Sequence, residues 1–578
     1  MVAVPSGDES SKTKVLKPPT LMNHGQLHWR VIKNFLMSRN PIMRELRRAW
    51  RLAEQELNPS PLDSAEVPKA PTWDLELQRR SLLKHAAAVG LLLPAGSLLS
   101  ACSHKTVQPS GRANSKSNGD VVIIGAGIAG LTAAYELGKS GISCRIFEAS
   151  NRLGGRMYTL ENFNSDGMTC DLGGELIDTD HTELRGLCKE LHVPVGAFAS
   201  EDQGRTPNLY YFDGRYRTNH ELVEAAKKIV PRFEVDKAKP ASWWDQQTLA
   251  QYLKSLPMDP WVLRFFQVAY ASEYGLDAEE LSALNFLWMF ELKDPSVFSP
   301  YGESDETFRI IGGNIQLMRV LAKAIESQGS RILLNRPMIR INEKDSDLQL
   351  DFDSPSGTQT VHADRVILTL PFSVLRNIEG VNKLNLHPLK SQMIQEMSNG
   401  NNSKIILGFS DRYWHREMHQ GKHRAPASTG YFFTDLPIQT GWDCSRLQSG
   451  KSGILCSYSG GSDALSLRQR KISDVLAGLD RVFPGVRKIY DGNSAAMDWI
   501  SSPLSRGSYM AFRPGQSTRF GKIAGKPELG GKLLFAGEHT ARKSAGFMNG
   551  ACVSGLDAAR SLVAEVQGRA PAPAPVAQ

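Results

Sequence analysis

Cysteine is scarce and unpatterned in this chain. The seven cysteines of its 578 residues stand at 102, 144, 170, 188, 444, 456 and 552. No C-x-x-C and no metal-ligand spacing occurs among them, so no zinc site, dithiol redox centre or disulfide framework can be read. No metal is expected. Long apolar runs are missing as well. Residues 86–101 carry no charge but fall short of the ~20 residues that a membrane-spanning helix needs. An excess of one charge sign is also missing from most of the chain. The net charge is +8, yet residues 1–84 hold fourteen Lys and Arg against nine Asp and Glu, which leaves the remainder close to neutral. With no basic–aromatic motif either, a nucleic-acid partner is not expected. The composition is that of a globular protein, long enough to fill two large domains.

The most informative stretch is residues 121–148, VVIIGAGIAGLTAAYELGKSGISCRIFE. Val121–Ile124 reads as a buried parallel strand, residues 131–139 as a helix and Cys144–Phe147 as a second strand. Between the first two, Gly125, Gly127 and Gly130 fall in G-x-G-x-x-G spacing. The first allows a tight turn, the second lets the backbone approach a pyrophosphate, and the third packs helix on strand. The helix N-terminus around Ala129 offers oriented N–H groups to phosphates. Glu148 ends the second strand, where a carboxylate accepts bonds from ribose hydroxyls. On their own these residues specify an ADP-containing dinucleotide and nothing more.

Ahead of this unit, residues 1–77 read as an extension, amphipathic between 29 and 57: a solvated or loosely docked helix, or a membrane-surface one. Residues 78–84, QRRSLLK, resemble a twin-arginine export signal, and residues 86–101 have the length of a signal h-region. Leu99-Ser100-Ala101-Cys102 resembles a lipoprotein cleavage box, with Cys102 as the lipidated first residue. The resemblance implies that the twin-arginine machinery exports the folded protein to the periplasm or cell envelope, where lipidated Cys102 attaches it to a membrane. The alternative is a buried apolar helix behind a chance arginine pair. Residues 103–119 read as a linker, and residues 568–578 as a Pro/Ala-rich disordered tail.

After Glu148, Arg152, Gly154, Gly155 and Arg156 stand in R-x-G-G-R spacing, and Gly173, Gly174 and Glu175 extend the pattern. A nicotinamide-binding domain needs no second glycine pair here. Three later stretches follow in order: 308–314 (FRIIGGN); 363–371 (ADRVILTLP), preceded by a strand at 337–341; and 534–540 (LFAGEHT) with 546–551 (GFMNGA). With these, residues 119–566 resemble the flavin-containing amine oxidases, which include monoamine, polyamine and L-amino-acid oxidases and histone lysine demethylases. The resemblance implies an α/β (α+β two-domain) fold. Its parts are a glutathione-reductase-type, Rossmann-like FAD-binding domain (120–200, 331–390, 501–567) and an interleaved substrate-binding domain (201–330, 391–500). The implied FAD contacts are Gly125, Gly127, Ala129, Gly130, Glu148, Arg152, Gly154, Gly155, Arg156, Gly173, Gly174 and Glu175. Ile339 joins them from the adenine strand, and Gly537, Glu538, Phe547 and Met548 from the C-terminal fingerprint.

The same resemblance implies the reacting groups. Lys404 stands where the family places a lysine that holds a water against flavin N5, and a buried ammonium there needs a partner. Tyr509 and Phe547 match the two aromatic walls that flank the substrate nitrogen. Phe547 replaces a tyrosine of the monoamine oxidases, which makes the cage less polar. Ser508 stands where covalent members tether the flavin through cysteine, so FAD is expected to be non-covalent. The implied reaction takes a neutral amine to an imine, then to an aldehyde or keto product, with O2 reduced to hydrogen peroxide. Residues 174–177 (GELI) lack the arginine that binds a carboxylate in animal amino-acid oxidases. Arg309, Arg506 or Arg542 remain open for that role. A primary amine is favoured over an amino acid, and no acidic cluster suited to a polyamine can be located. Alternatives are an L-amino-acid oxidase, a flavin dehydrogenase or desaturase that does not use O2, and a non-catalytic FAD-binding envelope lipoprotein. Trp243, Trp244, Trp261 and Trp288 are expected in the core.

Overall fold

The computed structural model describes residues 120–568, apart from 295–296, 300–303, 422 and 467–469. The export signal, Cys102, the amphipathic extension, the linker and all but the first residue of the tail lie outside the described residues.

In chain order, the first elements that place the site are β1 (Val121–Ile124), α1 (Ile128–Lys139), β2 (Cys144–Phe147), β3 (Leu209–Phe212), β4 (Arg215–Arg217) and α2 (Pro260–Tyr274). Next come α3 (Ile315–Ser327), β5 (Arg331–Leu333), β6 (Met338–Glu343), β7 (Leu348–Phe352), β8 (Gln359–Ala363), β9 (Arg365–Leu368) and β10 (Asn402–Phe409). The last are β11 (Phe432–Thr434), β12 (Thr440–Gly441), β13 (Gly453–Gly460), β14 (Tyr490–Asp498), β15 (Leu533–Phe535) and α4 (Met548–Val566).

Five strands form an all-parallel sheet in the order β5-β2-β1-β9-β15. Its strands are apolar at successive positions because both faces are covered. Val121 and Ile123 of β1 join the core on the helical face, with Leu131, Leu321 and Leu534. Val122 and Ile124 join the opposite core, under the small antiparallel sheet β6-β7-β8. Cutting Ile123 to alanine would cost about 2–5 kcal/mol. Helices α1 and α4 cross closely where α4 has no side chain: a Cβ on Gly555 would lie 2.3 Å from the Ala129 carbonyl.

A seven-stranded sheet, β14-β10-β13-β12-β11-β3-β4, makes the second layer. A helical cluster packs beside it, with Trp244, Phe265, Phe266 and Phe286 fully buried. Trp244 and Trp261 lie in this core and Trp243 packs on it, whereas Trp288 is 56% exposed. One expected boundary moves. Leu317, Met318, Leu321 and Ile325 of α3 bury against the parallel sheet. The chain therefore returns to the dinucleotide layer ahead of residue 331, because the amphipathic face of α3 matches that sheet.

Candidate active site

A cavity of about 650 Å³ is walled by both layers. Its first end lies where β1 and β2 stop. The Glu148 carboxylate is fixed there: Ala126 N donates to Oε2 at 2.8 Å, and Ser150 N and Oγ donate to Oε1 at 2.8 and 2.7 Å. Oε1 takes two donors, so it is Oε2, with one, that keeps a lone pair for a ligand hydroxyl. Gly125 has φ +106°, and a Cβ there would stand 2.3 Å from Thr369 Oγ1, so only glycine fits. Gly127 and Gly155 differ. A Cβ on Gly127 would meet only the Gly154 carbonyl, at 3.9 Å, and one on Gly155 only the Gly127 Cα, at 3.5 Å. The space above both is cavity, shaped for a group that approaches the backbone closely.

Helix α1 begins after Gly127 and α4 after Phe547, and neither start has a side-chain cap. Ile128, Ala129, Met548 and Ala551 place both helix starts on the cavity wall. Two uncapped N-termini suit two centres of negative charge: a pyrophosphate, and the electron-rich edge of a reduced ring. The residues therefore fit a flavin dinucleotide. Arg156 is anchored between these ends, donating to Glu538 Oε1 at 2.6 Å and the Ser508 carbonyl at 2.5 Å. The lining residues among those described include neither cysteine nor histidine. Ser508 turns its hydroxyl to the Gly400 carbonyl (2.9 Å) and Asn402 Oδ1 (2.5 Å).

Lys404 lies on β10, opposite Tyr458 on β13. Strand alternation puts Lys404, Ile406, Cys456 and Tyr458 on one face and Ile405, Leu407 and Leu455 on the other. The Lys404 ammonium donates to the Asp171 carbonyl (3.0 Å), the Gly173 carbonyl (3.1 Å) and Glu175 Oε2 (3.2 Å). Its three hydrogens thus have three protein acceptors, and Lys404 also lines the cavity. Arg309 completes a buried quartet, 3.6 Å from Glu175 and 3.7 Å from Asp171, and donates to the Cys444 carbonyl at 2.6 Å. Two cations face two carboxylates. Burial works against the charge on Lys404, but Glu175 outweighs it and holds the ammonium above its ordinary range. Burial would likewise raise Glu175, but Lys404 and Arg309 hold it below the usual carboxylate range. Glu175 also accepts from Trp442 Nε1 at 3.0 Å. It lines the cavity, as expected of a cofactor contact, but its carboxylate is spent on Lys404.

The second end of the cavity is aromatic and acidic. Tyr509 donates to the Glu273 carbonyl at 2.6 Å and shares a 2.9 Å hydrogen bond with Tyr458. Phe547 faces His181 at 5.2 Å. Tyr431 stacks on Trp442 at 6.0 Å. Glu273 and Glu306 line the same end. Burial, reinforced by Asp178, pushes Glu273 up to about 7, and burial with Asp178 and Glu273 pushes Glu306 up to about 8.

Of the residues expected at the cofactor or substrate, Gly130 and Ile339 do not line the cavity. Gly130 serves packing, since a Cβ there would lie 2.1 Å from the Gly125 carbonyl. Ile339 is corrected to Met338: β6 is irregular between Met338 and Arg340, Met338 and Ile341 are buried, Ile339 is exposed, and its carbonyl accepts from Glu379 N at 3.1 Å. Among the open arginines, Arg309 is buried in the quartet, Arg542 pairs with Asp557 at 2.8 Å, and Arg506 lines the cavity. Glu273, Glu306, Trp442 and Tyr458 were not singled out from the sequence. Only Glu273 carried a signal: it is an acid in the last turn of α2, where the helix dipole disfavours negative charge.

Comparison with known proteins agrees with this geometry. The model of the flavin containing amine oxidoreductase family matches residues 128–563. A flavin-containing amine oxidase of Oncorhynchus mykiss is 26% identical over 482 residues, covering 78% of this chain and 87% of that protein. The L-amino-acid oxidase of Vipera ammodytes ammodytes is 26% identical over 470 residues, covering 76% and 92%. In fold, the chain resembles the cyclohexylamine oxidase of Brevibacterium oxydans IH-35A, with a TM-score of 0.63 at 21% identity, over 78% of this chain and 99% of that one. Wild-type putrescine oxidase bound to putrescine gives 0.63 at 22% identity, again over 78% and 99%. The chain belongs to the family of flavin-containing amine oxidoreductases, with FAD as its cofactor.

Proposed function

We propose that the protein is an FAD-dependent oxidase of amines that releases hydrogen peroxide. The supporting observation is one cavity that joins a dinucleotide cradle to an aromatic, acid-lined end. Bound FAD would supply the redox chemistry that couples amine oxidation to O2 reduction. The chain's own residues do the rest. The uncapped start of α4 favours negative charge beside Met548. Tyr458 and the Glu273 carbonyl hold the Tyr509 ring, with Phe547 on the same cavity wall, and these rings orient the amine and exclude water. The Asp171–Glu175–Arg309–Lys404 quartet locks the loop carrying Gly173 and Gly174 onto the seven-stranded sheet. No general base is needed if the amine binds deprotonated.

An amino acid would bring a carboxylate, which needs a fixed cation. Arg309 and Arg542 are already paired, while the second end of the cavity presents Glu273 and Glu306. This favours an amine, and Arg506 is the remaining route to an amino acid. The test is a peroxide-coupled screen of primary amines and L-amino acids on the flavin-loaded enzyme. Peroxide released with amines is the expected result. A stable flavin that no amine reduces would make the protein a non-catalytic flavoprotein, and reduction without peroxide would make it a dehydrogenase. From residues 78–102 we also propose twin-arginine export to the cell envelope, which Arg79→Lys with Arg80→Lys would block.

A further inference from the structure

The chemistry above gives Glu273 and Glu306 no task. Glu273 is enclosed by protein, sits at the unfavourable end of α2 and lines the cavity. Glu306 is held with φ 42°, its N–H donating to Asp178 Oδ1 at 2.8 Å, and it is hydrogen-bonded to Tyr431. Neither makes an ion pair among the described residues. The charged neighbours are already occupied. Asp178 faces His181, 3.5 Å away, and His181 Nδ1 accepts from Asp178 N at 3.0 Å. Arg446, the base within electrostatic reach of Glu306, is 3.5 Å from Asp202 and lies over the Phe198 ring. Two carboxyls thus share one enclosed space with no ion-pair partner among the described residues, beside the stacked rings of Tyr431 and Trp442. Leaving both uncompensated is costly, and one cation between them relieves both. Aromatic faces add to the attraction for an ammonium group.

We infer that the substrate carries two amino groups: the reacting nitrogen beside Tyr509 and Phe547, and a distal ammonium held by Glu273 and Glu306. This rests on the amine-oxidase reading and narrows it to an α,ω-diamine. A monoamine leaves the acids unpaired. An α-amino acid puts its carboxylate into an end where the cation in reach, Arg446, already faces Asp202.

The test measures kcat/KM of the flavin-loaded enzyme for diaminobutane and diaminopentane, each against the monoamine of equal chain length. A charge-assisted contact predicts a diamine preference of about ten- to a hundredfold. Glu273→Gln and Glu306→Gln are each expected to cut that ratio about tenfold, and the double variant to bring it near unity, with flavin content as the folding control. If a variant loses flavin, the wild type still decides: a bis-quaternary alkylammonium should inhibit at least about tenfold more tightly than its mono-quaternary analogue. Equal kcat/KM for diamine and monoamine, an unchanged ratio in flavin-loaded variants, or equal inhibition by the two quaternary salts would overturn the inference. Reduction of the flavin by monoamines as fast as by diamines would sink the substrate class alone. Failure of every amine to reduce it would sink the oxidase reading beneath it.

Discussion

At the glycine end of the cavity the acids are spoken for before any ligand arrives. Glu148 accepts from Ala126 and Ser150, and Glu538 holds Arg156. At the other end Glu273 and Glu306 face the same space without ion-pair partners among the described residues. Between them, Lys404, Arg309, Asp171 and Glu175 balance one another. The contrast follows from what each end must bind. A dinucleotide is gripped mainly by backbone N–H groups and close approach, so protein charges there serve as fixed braces. A cationic substrate is recognised by charge, so the acids that meet it are left for the ligand to neutralise.

The largest expected effect comes from damaging the glycine end. Gly125→Val places a branched side chain at φ +106° against Thr369. The variant should purify without flavin, read as near-complete loss of visible absorbance per protein. Breaking the quartet comes next. Glu175→Ala leaves buried Lys404 and Arg309 facing one carboxylate, at a cost of about 3–5 kcal/mol in denaturant unfolding. Lys404→Met combined with Glu175→Gln should cost less than the sum of the single changes, since the pair is removed together. Additive costs would show that the two side chains are independent.

Titration offers a smaller effect confined to the substrate end. A raised acid is neutral below its pKa and charged above it. Glu273 and Glu306 should therefore gain charge as pH rises through about 7 and about 8. The diamine KM should fall about tenfold across that window, and the monoamine KM should not follow it. The groups facing these acids are Asp178, Arg446, Tyr274, Tyr431 and Tyr458, so Glu273→Gln with Glu306→Gln is the control that must flatten the profile. By linkage, the folded ligand-free protein binds these protons more tightly than the unfolded chain. Its stability should decline as pH climbs from the ordinary glutamate range to about 8, and bound diamine should remove that slope. The smallest effect is expected from Tyr458→Phe, which removes the 2.9 Å bond to Tyr509. About 1 kcal/mol, or roughly fivefold in kcat/KM, is expected.

The same division explains what was legible from residues alone. The glycine end rests on backbone demands that only certain residue types meet, and they fall close together in the chain. Gly125 is dictated by its φ and by Thr369, Gly127 and Gly155 by the open cavity above them. Ile339 missed by one position because an irregularity in β6 between Met338 and Arg340, which no residue type marks, decides which side chain faces inward. Lys404 and Glu175 were both visible, but their pairing crosses from one layer to the other, and neither motif encodes it. Glu306 lies in a loop that reads like any polar loop. Glu273 announced itself only as an acid at the wrong end of a helix.

The most direct measurement mixes the oxidised, flavin-loaded enzyme anaerobically with diaminobutane, follows the visible flavin band, and then admits O2. The account predicts that the band bleaches, returns on aeration, and yields one hydrogen peroxide per amine oxidised. A band left unchanged by every amine and amino acid, or one that recovers in O2 without peroxide, would contradict it.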